Sequence, residues 1–79
     1  MDSGNFATIY GIVNFTRNND NGVSYNVTLD GLAIGKARVD GQNIYYNHSI
    51  NSQNFITAVT DSFREAAEHL AQFATKRRG

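Results

Sequence analysis

The sequence of 79 residues contains no cysteine, no proline and no tryptophan. Without cysteine the chain forms neither disulfides nor thiolate metal sites, which many small extracellular domains need for stability. Charged residues make up only 18% of the sequence, compared with about 25% in typical soluble domains. Electrostatic repulsion between copies of the chain is therefore weak.

Membrane and export signals are also missing from the sequence. No apolar run approaches the ~18 residues of a membrane span. Residues 1–5 lack the basic and apolar regions of a signal peptide, so we expect a cytoplasmic protein. The apolar fraction of 41% is enough for one core, and the length allows only one domain, residues 1–79.

The formal net charge of zero conceals an uneven distribution along the chain. Residues 1–75 hold all seven acidic side chains but only four of the seven basic ones, an excess of three negative charges. The basic tail, residues 76–79, contains Lys76, Arg77 and Arg78 and compensates this excess. Nucleic-acid-binding domains usually carry a strong basic excess, whereas the pI here is about 6.7.

Apolar and polar residues alternate over residues 23–29, which predicts a strand with one buried face. Asp30 and Gly31 follow directly and favour a two-residue type I′ turn, so residues 32–39 form the returning strand. The predicted register pairs Leu29 with Leu32, Val27 with Ile34, Tyr25 with Lys36 and Val23 with Arg38.

Two further strands are predicted on either side of this hairpin. Residues 6–17 form one long strand, followed by a turn-forming loop at residues 18–22. That loop length places Phe15 opposite Tyr25 and Val13 opposite Val27. A second Asp-Gly pair at Asp40 closes the returning strand and introduces a fourth strand at residues 43–48.

The apolar spacing changes to a helical period from Phe55 onward. The apolar positions form one broad stripe on a helix at residues 52–76, with Asn51 or Ser52 as the N-cap. They are Phe55, Ile56, Val59, Phe63, Ala66, Ala67, Leu70, Phe73 and Ala74.

The predicted fold is therefore α+β: an antiparallel meander of three or four strands with one long C-terminal helix on one face (βββα or ββββα). A single helix covers only one face of such a sheet. The opposite face is predicted to carry Phe6, Tyr10 and Ile12 beside Ser24, Asn26 and Thr28, then Ala33, Gly35 and Ala37, and then Ile44, with Tyr46 as a further candidate.

Groups that support catalysis are few in this sequence. His48 and His69 are the only imidazoles, and the pair Glu65 and His69 offers fewer ligands than a zinc site needs. No nucleophile motif of the form G-x-S-x-G is present. Gly31 to Lys36 lacks the full phosphate-loop pattern. We predict no catalytic residue, no metal and no cofactor.

The predicted register brings basic residues to one corner of the sheet, beside an asparagine-rich loop. Aromatic and arginine side chains are the usual anchors of protein interfaces. The candidate partner-binding residues are Tyr10, Arg17, Asn18, Asn19, Asn21, Tyr25, Lys36 and Arg38.

Residues 25–35, Tyr-Asn-Val-Thr-Leu-Asp-Gly-Leu-Ala-Ile-Gly, resemble the central hairpin of double-stranded-RNA-binding domains. Where that family begins its last helix with basic residues, this chain has Ser-Gln-Asn-Phe at residues 52–55. In size, composition and layout the whole chain resembles the small phage-encoded inhibitors of host defence, including anti-CRISPR proteins. That resemblance implies a protein that occupies a site on a larger host complex.

We predict a non-enzymatic protein that binds a protein or ribonucleoprotein complex, such as a phage inhibitor of host defence. One alternative is a nucleic-acid-binding domain that uses the basic corner. Another is a structural module that forms a homodimer through the uncovered face of its sheet.

Overall fold

The computed structural model describes residues 3–18, 24–50 and 53–78. They form six strands and one helix, which are β1 (Ser3–Thr8), β2 (Gly11–Arg17), β3 (Ser24–Leu29), β4 (Leu32–Asp40), β5 (Asn43–Ile50), β6 (Gln53–Thr60) and α1 (Phe63–Arg78). The strands are antiparallel and lie in the order β1 to β6.

The helix packs on one face of this meander and contacts β1, β2, β4, β5 and β6. Phe63, the first helical residue, also reaches Tyr25 in β3 at 5.6 Å between ring centroids. The sheet therefore curls around the helix. The α+β class and the antiparallel meander are confirmed, but the sheet has six strands instead of three or four.

The first two strands arise where a single strand, residues 6–17, was predicted. The chain turns at Ile9 and Tyr10, and β1 folds back onto β2. The Thr8 hydroxyl stabilises this turn, since it donates to the Gly11 carbonyl oxygen at 2.7 Å and accepts from the Tyr10 amide at 3.1 Å. Phe6 consequently pairs with Val13 and lies on the helix-facing side.

The hairpin at Asp30 and Gly31 forms as predicted. Both residues have positive φ, 50° and 89°, as a type I′ turn requires, and Leu29 pairs with Leu32. Beyond the turn, the register shifts by one residue between Val27 and Thr28, so the rest of the predicted register is wrong. The pairs there are Val27 with Gly35, Asn26 with Lys36, Tyr25 with Ala37 and Ser24 with Arg38.

This β-bulge reverses the two faces of β4 beyond Ile34. Ile34 and Ala37 are buried, whereas Lys36 and Arg38 are exposed on the other face. Without the bulge, the two cations would point into the core, where an unpaired charge is costly. The bulge also places Gly35 in a tight position, because a Cβ there would collide with the Asn47 carbonyl oxygen.

The β2–β3 register differs from the prediction by two residues. Phe15 pairs with Val27 and Val13 with Leu29. Because the shift is even, the apolar faces of both strands still meet. The residues of the β4–β5 turn are Gly41 and Gln42, one position later than predicted.

The predicted helix at residues 52–76 is correct only in its second part. Its beginning is β6, and α1 begins at Phe63. Ser62 is the N-cap: its hydroxyl accepts a hydrogen bond from the Glu65 amide at 3.3 Å, in the S-x-x-E pattern of a capping box. The N-caps predicted at Asn51 and Ser52 lie outside the described residues.

The core lies between the helix and the concave face of the sheet. Phe15 is its centre, with Phe6, Tyr25 and Phe63 packed edge-on around it at centroid distances of 5.6, 6.5 and 5.3 Å. The helix contributes mainly small side chains, which let it approach the sheet closely. Those that are fully buried are Ala66, Ala67, Leu70, Ala71 and Ala74.

Candidate functional site

The face of the sheet opposite to α1, which we call the outer face, carries mainly polar side chains, with a few apolar ones among them. Strand alternation and register place the following described residues on it: Asn5, Ala7, Ile12, Asn14, Thr16, Ser24, Asn26, Thr28, Ala33, Lys36, Arg38, Asp40, Asn43, Tyr45, Asn47 and Val59.

One part of this face combines cations with an aromatic ring. The guanidinium carbon of Arg38 lies 5.7 Å from the centroid of the Tyr45 ring, within the range of a cation–π contact. Arg38 pairs with Tyr45 across β4 and β5, and Lys36 pairs with Asn47 two residues along. We call Lys36, Arg38, Tyr45 and Asn47 the outer-face patch.

A shallow depression of about 370 Å³ lies at this patch. All four patch residues line it, together with Ser24, Ala37 and Tyr46. Lys36 and Arg38 are exposed, while Tyr45 is half-buried. The ring is therefore held in place and the two cationic groups face solvent.

The structure separates the residues that the sequence grouped at one corner. Lys36 and Arg38 lie on the outer face. Arg17 pairs with Tyr25 at the end of β2, so it lies on the helix side of the sheet. Arg17 is exposed because β2 ends there. Asn18 is partly buried, and its backbone N–H donates to the Ser24 carbonyl oxygen at 2.7 Å. Asn19 and Asn21 lie outside the described residues.

The two tyrosines predicted to bind a partner lie on the helix side of the sheet. Tyr25 is only 4% exposed and packs against Phe15 and Phe63, so it belongs to the core. Tyr10 packs against the core from the β1–β2 turn. It also lines a cleft of about 330 Å³ whose other walls include Glu68, His69 and Gln72.

Four residues of the predicted uncovered face are likewise in the core. Gly35, Ala37, Ile44 and Tyr46 are all buried under the helix, because the bulge in β4 exchanges the two faces. Tyr45, which the prediction left out, takes the outer position in β5. The alternation of Lys36 and Arg38 with Ala37 and Val39 was a signal in the sequence for this exchange.

A second polar cluster lies beneath the helix, on the opposite side of β5 from the patch. The Tyr46 hydroxyl and His69 Nδ1 share a hydrogen bond of 2.6 Å. His48 stacks on Phe73 with 3.8 Å between ring centroids and an interplanar angle of 26°. His48 is 5% exposed, and its Nδ1 has no hydrogen-bond partner among the described residues.

Burial decides the charge state of this cluster. Desolvation, with the nearby charge of His69, lowers the pKa of His48 from 6.5 to about 4. Desolvation also raises the pKa of the Tyr46 hydroxyl, with a smaller contribution from Glu65. At neutral pH both side chains are uncharged, and Tyr46 is a weaker acid than a free tyrosine.

The described part of the chain contains no group of three or more His, Asp or Glu side chains that would hold a metal ion. Among the same residues, no helix has the length and apolar character needed to cross a membrane. No protein family, curated protein or solved structure is significantly similar to this chain.

Proposed function

We propose that this protein is a non-enzymatic binding protein that uses its outer face, centred on the outer-face patch, to occupy a site on a larger protein or ribonucleoprotein complex. The observation that carries the proposal is the contact between Arg38 and Tyr45 beside a depression on the face away from the helix. Inhibition of a host-defence complex is one form that this function would take.

The chemistry of the patch supports binding to a protein. Arginine and tyrosine are enriched among the residues that dominate interface energies. Tyr45 is half-buried and stacked with Arg38, so less side-chain entropy is lost when a partner docks. The surrounding Asn, Ser and Thr residues provide the hydrogen-bonding rim that such interfaces have.

The charge of the outer face favours a protein over a nucleic acid. Lys36 and Arg38 are the only Lys or Arg residues that the described register places on it. Nucleic-acid affinity depends mainly on how many phosphates are neutralised, and two cations on a chain of zero net charge neutralise few. A sheet face rich in uncharged polar groups is better suited to a protein surface.

The test is a capture experiment with three forms of the tagged protein, using a lysate of the organism that makes it. The forms are wild type, the double variant Arg38→Ala with Tyr45→Ala, and the control Thr16→Ala, which alters an exposed outer-face residue outside the patch. We expect wild type and control to retain the same protein, identified by mass spectrometry. The double variant should retain at least about tenfold less of that protein, because two interface anchors are removed.

Nuclease treatment of the lysate distinguishes the nucleic-acid alternative. Capture that survives the nuclease and depends on Arg38 and Tyr45 supports a protein partner. If capture is lost with the nuclease, and the pure protein binds an oligonucleotide with a steep salt dependence, the patch is a nucleic-acid site. Equal capture by the double variant and wild type would exclude the patch as the binding site.

A further inference from the structure

The described residues that line the depression at the outer-face patch include two cationic side chains and no acidic one. Lys36 and Arg38 are two residues apart in β4, so they lie on the same face, roughly 7 Å apart along the strand. Asn47 lies opposite Lys36 on β5, and Ser24 lies opposite Arg38 on β3. Polar side chains from three adjacent strands therefore surround the depression, and its net charge is positive.

The acidic residues described in the structure lie outside the depression. Asp40 is the only one that the register places on the outer face, and its partner on β5 is Asn43. The others lie in the β3–β4 turn, in the link to α1 or on α1 itself: Asp30, Asp61, Glu65 and Glu68. None of these side chains lines the depression, so the described part of the chain supplies no negative charge there.

Arg38 is held in a way that suits it to an anion. Its guanidinium carbon lies 5.7 Å from the centroid of the Tyr45 ring. A cation–π contact uses the charge of the guanidinium rather than a hydrogen bond, so the N–H donors remain available to a ligand. Tyr45 is half-buried, which restricts its motion and lowers the entropy that Arg38 loses when a ligand binds.

We propose that the depression binds the carboxylate of an Asp or Glu side chain from an acidic segment of the partner protein. Arg38 would hold the carboxylate through two parallel N–H groups, and Lys36 would add a second positive charge. This inference rests on the proposed function and extends it by naming the chemistry of the partner.

The cost of removing cations from water supports an acidic partner. If the patch is the centre of an interface, docking takes Lys36 and Arg38 out of contact with bulk water. A neutral segment would leave two charges without compensation, which is costly in an interface, and a basic segment would be repelled. A segment that brings its own carboxylates avoids both penalties.

The neighbourhood of the depression favours a short acidic segment over a nucleic-acid chain. Towards the end of β4 the outer face carries Asp40, which would repel a continuing row of phosphates. Towards β2 it carries the uncharged side chains of Asn26 and Thr16. Nucleic-acid affinity grows with the number of phosphates neutralised, and this surface neutralises them only at the patch.

The experiment titrates the isotope-labelled full chain with a short capped peptide that alternates Glu and Gly, and follows the backbone amides by NMR. A matched peptide alternates Gln and Gly. The Glu peptide should shift the resonances of Lys36, Arg38, Tyr45 and Asn47 in a saturable way, because its carboxylates enter the depression. The Gln peptide should leave them unchanged.

Two substitutions form a matched pair for this titration. Lys36→Gln and Lys76→Gln each remove one exposed lysine and change the net charge equally. Lys36→Gln should weaken binding of the Glu peptide about threefold or more. Lys76→Gln, on α1 and so on the other side of the sheet, should change it by less than about twofold, because solvent and salt screen distant charges.

Arg38→Lys tests the geometry of the site separately from its charge. It keeps one positive charge but lacks the planar pair of N–H donors that matches a carboxylate. Binding of the Glu peptide should weaken about twofold or more. Binding as tight as that of wild type would overturn the role assigned to the guanidinium.

Further results would overturn the proposal as a whole. They are equal shifts with the Gln peptide, shifts confined to residues outside the patch, or equal binding by Lys36→Gln and Lys76→Gln. Tighter binding of a single-stranded oligonucleotide than of the Glu peptide at the same patch, with a steep salt dependence, would assign the patch to a nucleic acid.

The titration and the capture experiment distinguish this inference from the proposed function. Capture that depends on Arg38 and Tyr45, with no binding of the Glu peptide, would keep the function and reject the carboxylate site. Binding of the Glu peptide at the patch, with capture unaffected by the double variant, would support the carboxylate site and reject the function.

Discussion

Tyr45 and Tyr46 are neighbours in β5, yet one lies on the outer face and the other beneath α1. Tyr45 is half-buried and contacts the guanidinium of Arg38. Tyr46 is 4% exposed, and its hydroxyl is hydrogen-bonded to His69. Successive side chains in a strand point to opposite faces, so two identical residues are placed in opposite environments.

The same contrast applies to the cationic groups on the two faces. The Arg38 side chain is exposed to solvent, whereas burial lowers the pKa of His48 to about 4 and leaves it neutral at neutral pH. Buried polar groups must be paired or uncharged, while exposed ones remain available to a partner. We therefore expect changes beneath the helix to alter stability and changes on the outer face to alter binding.

The largest effect should come from Phe15→Ala. Phe15 is 0% exposed and contacts three aromatic rings, so truncation should lower the free energy of unfolding by about 3–5 kcal/mol. Ile12→Ala, three positions earlier on the outer face, should cost less than about 1 kcal/mol. Urea unfolding followed by circular dichroism measures both, and equal losses would show that the two faces do not differ in this way.

A smaller effect should appear as the pH falls. The unfolded chain protonates His48 near 6.5 but the folded protein only near 4, so unfolded molecules bind more protons between these values. The contribution of neutral His48 to the free energy of unfolding is fully present above pH 6.5 and is lost as the pH falls toward 4, by about 3 kcal/mol in total.

The control for this pH effect is His48→Phe, which keeps a ring against Phe73 but cannot titrate. Wild type and variant are compared by urea unfolding at several pH values, so that the carboxylates, common to both, cancel in the difference. A wild-type slope that the variant fully retains would show that His48 is not the group responsible.

The smallest expected effect is a difference in stability between variants of the two tyrosines. Tyr46→Phe removes a hydrogen bond of 2.6 Å to His69 and should cost about 1 kcal/mol. Tyr45→Phe keeps the ring beneath Arg38 and should change stability by less than about 0.5 kcal/mol. Thermal unfolding of both variants, made in parallel, tests this order, and a larger loss in Tyr45→Phe would reverse the assignment of the faces.

Several elements could be predicted because local chemistry alone specifies them. Asp30 and Gly31 both accept positive φ, which fixes the β3–β4 turn. The alternation in β3 matches its observed burial. The apolar stripe from Phe63 to Ala74 faces the core as predicted, since a helical period of apolar residues needs a surface to pack on.

The start of the helix could not be decided from periodicity. Phe55, Ile56 and Val59 fit a helical stripe, but Ile56, Thr57, Val59 and Thr60 are β-branched residues that favour a strand. Pairing with β5 resolves the ambiguity, and the Ser62 cap then begins the helix. The β1–β2 turn was missed for a similar reason, because Ile9 and Tyr10 are not typical turn residues.

The candidate site depends on a feature that local sequence reasoning did not resolve. Lys36 and Arg38 were identified, but the predicted register put them beside Tyr25 and Arg17. The β-bulge opposite Val27 and Thr28 moves them to the outer face beside Tyr45.

The sequence by itself therefore determined the class of fold, the β3–β4 turn and the amphipathic helix, because each depends on residues close together in the chain. Only the tertiary structure decided which face each side chain occupies. A shift of one residue in a strand exchanges its faces, and that shift is set by the combined cost of burying Lys36 and Arg38 and the gain from burying Ile34 and Ala37 against the helix.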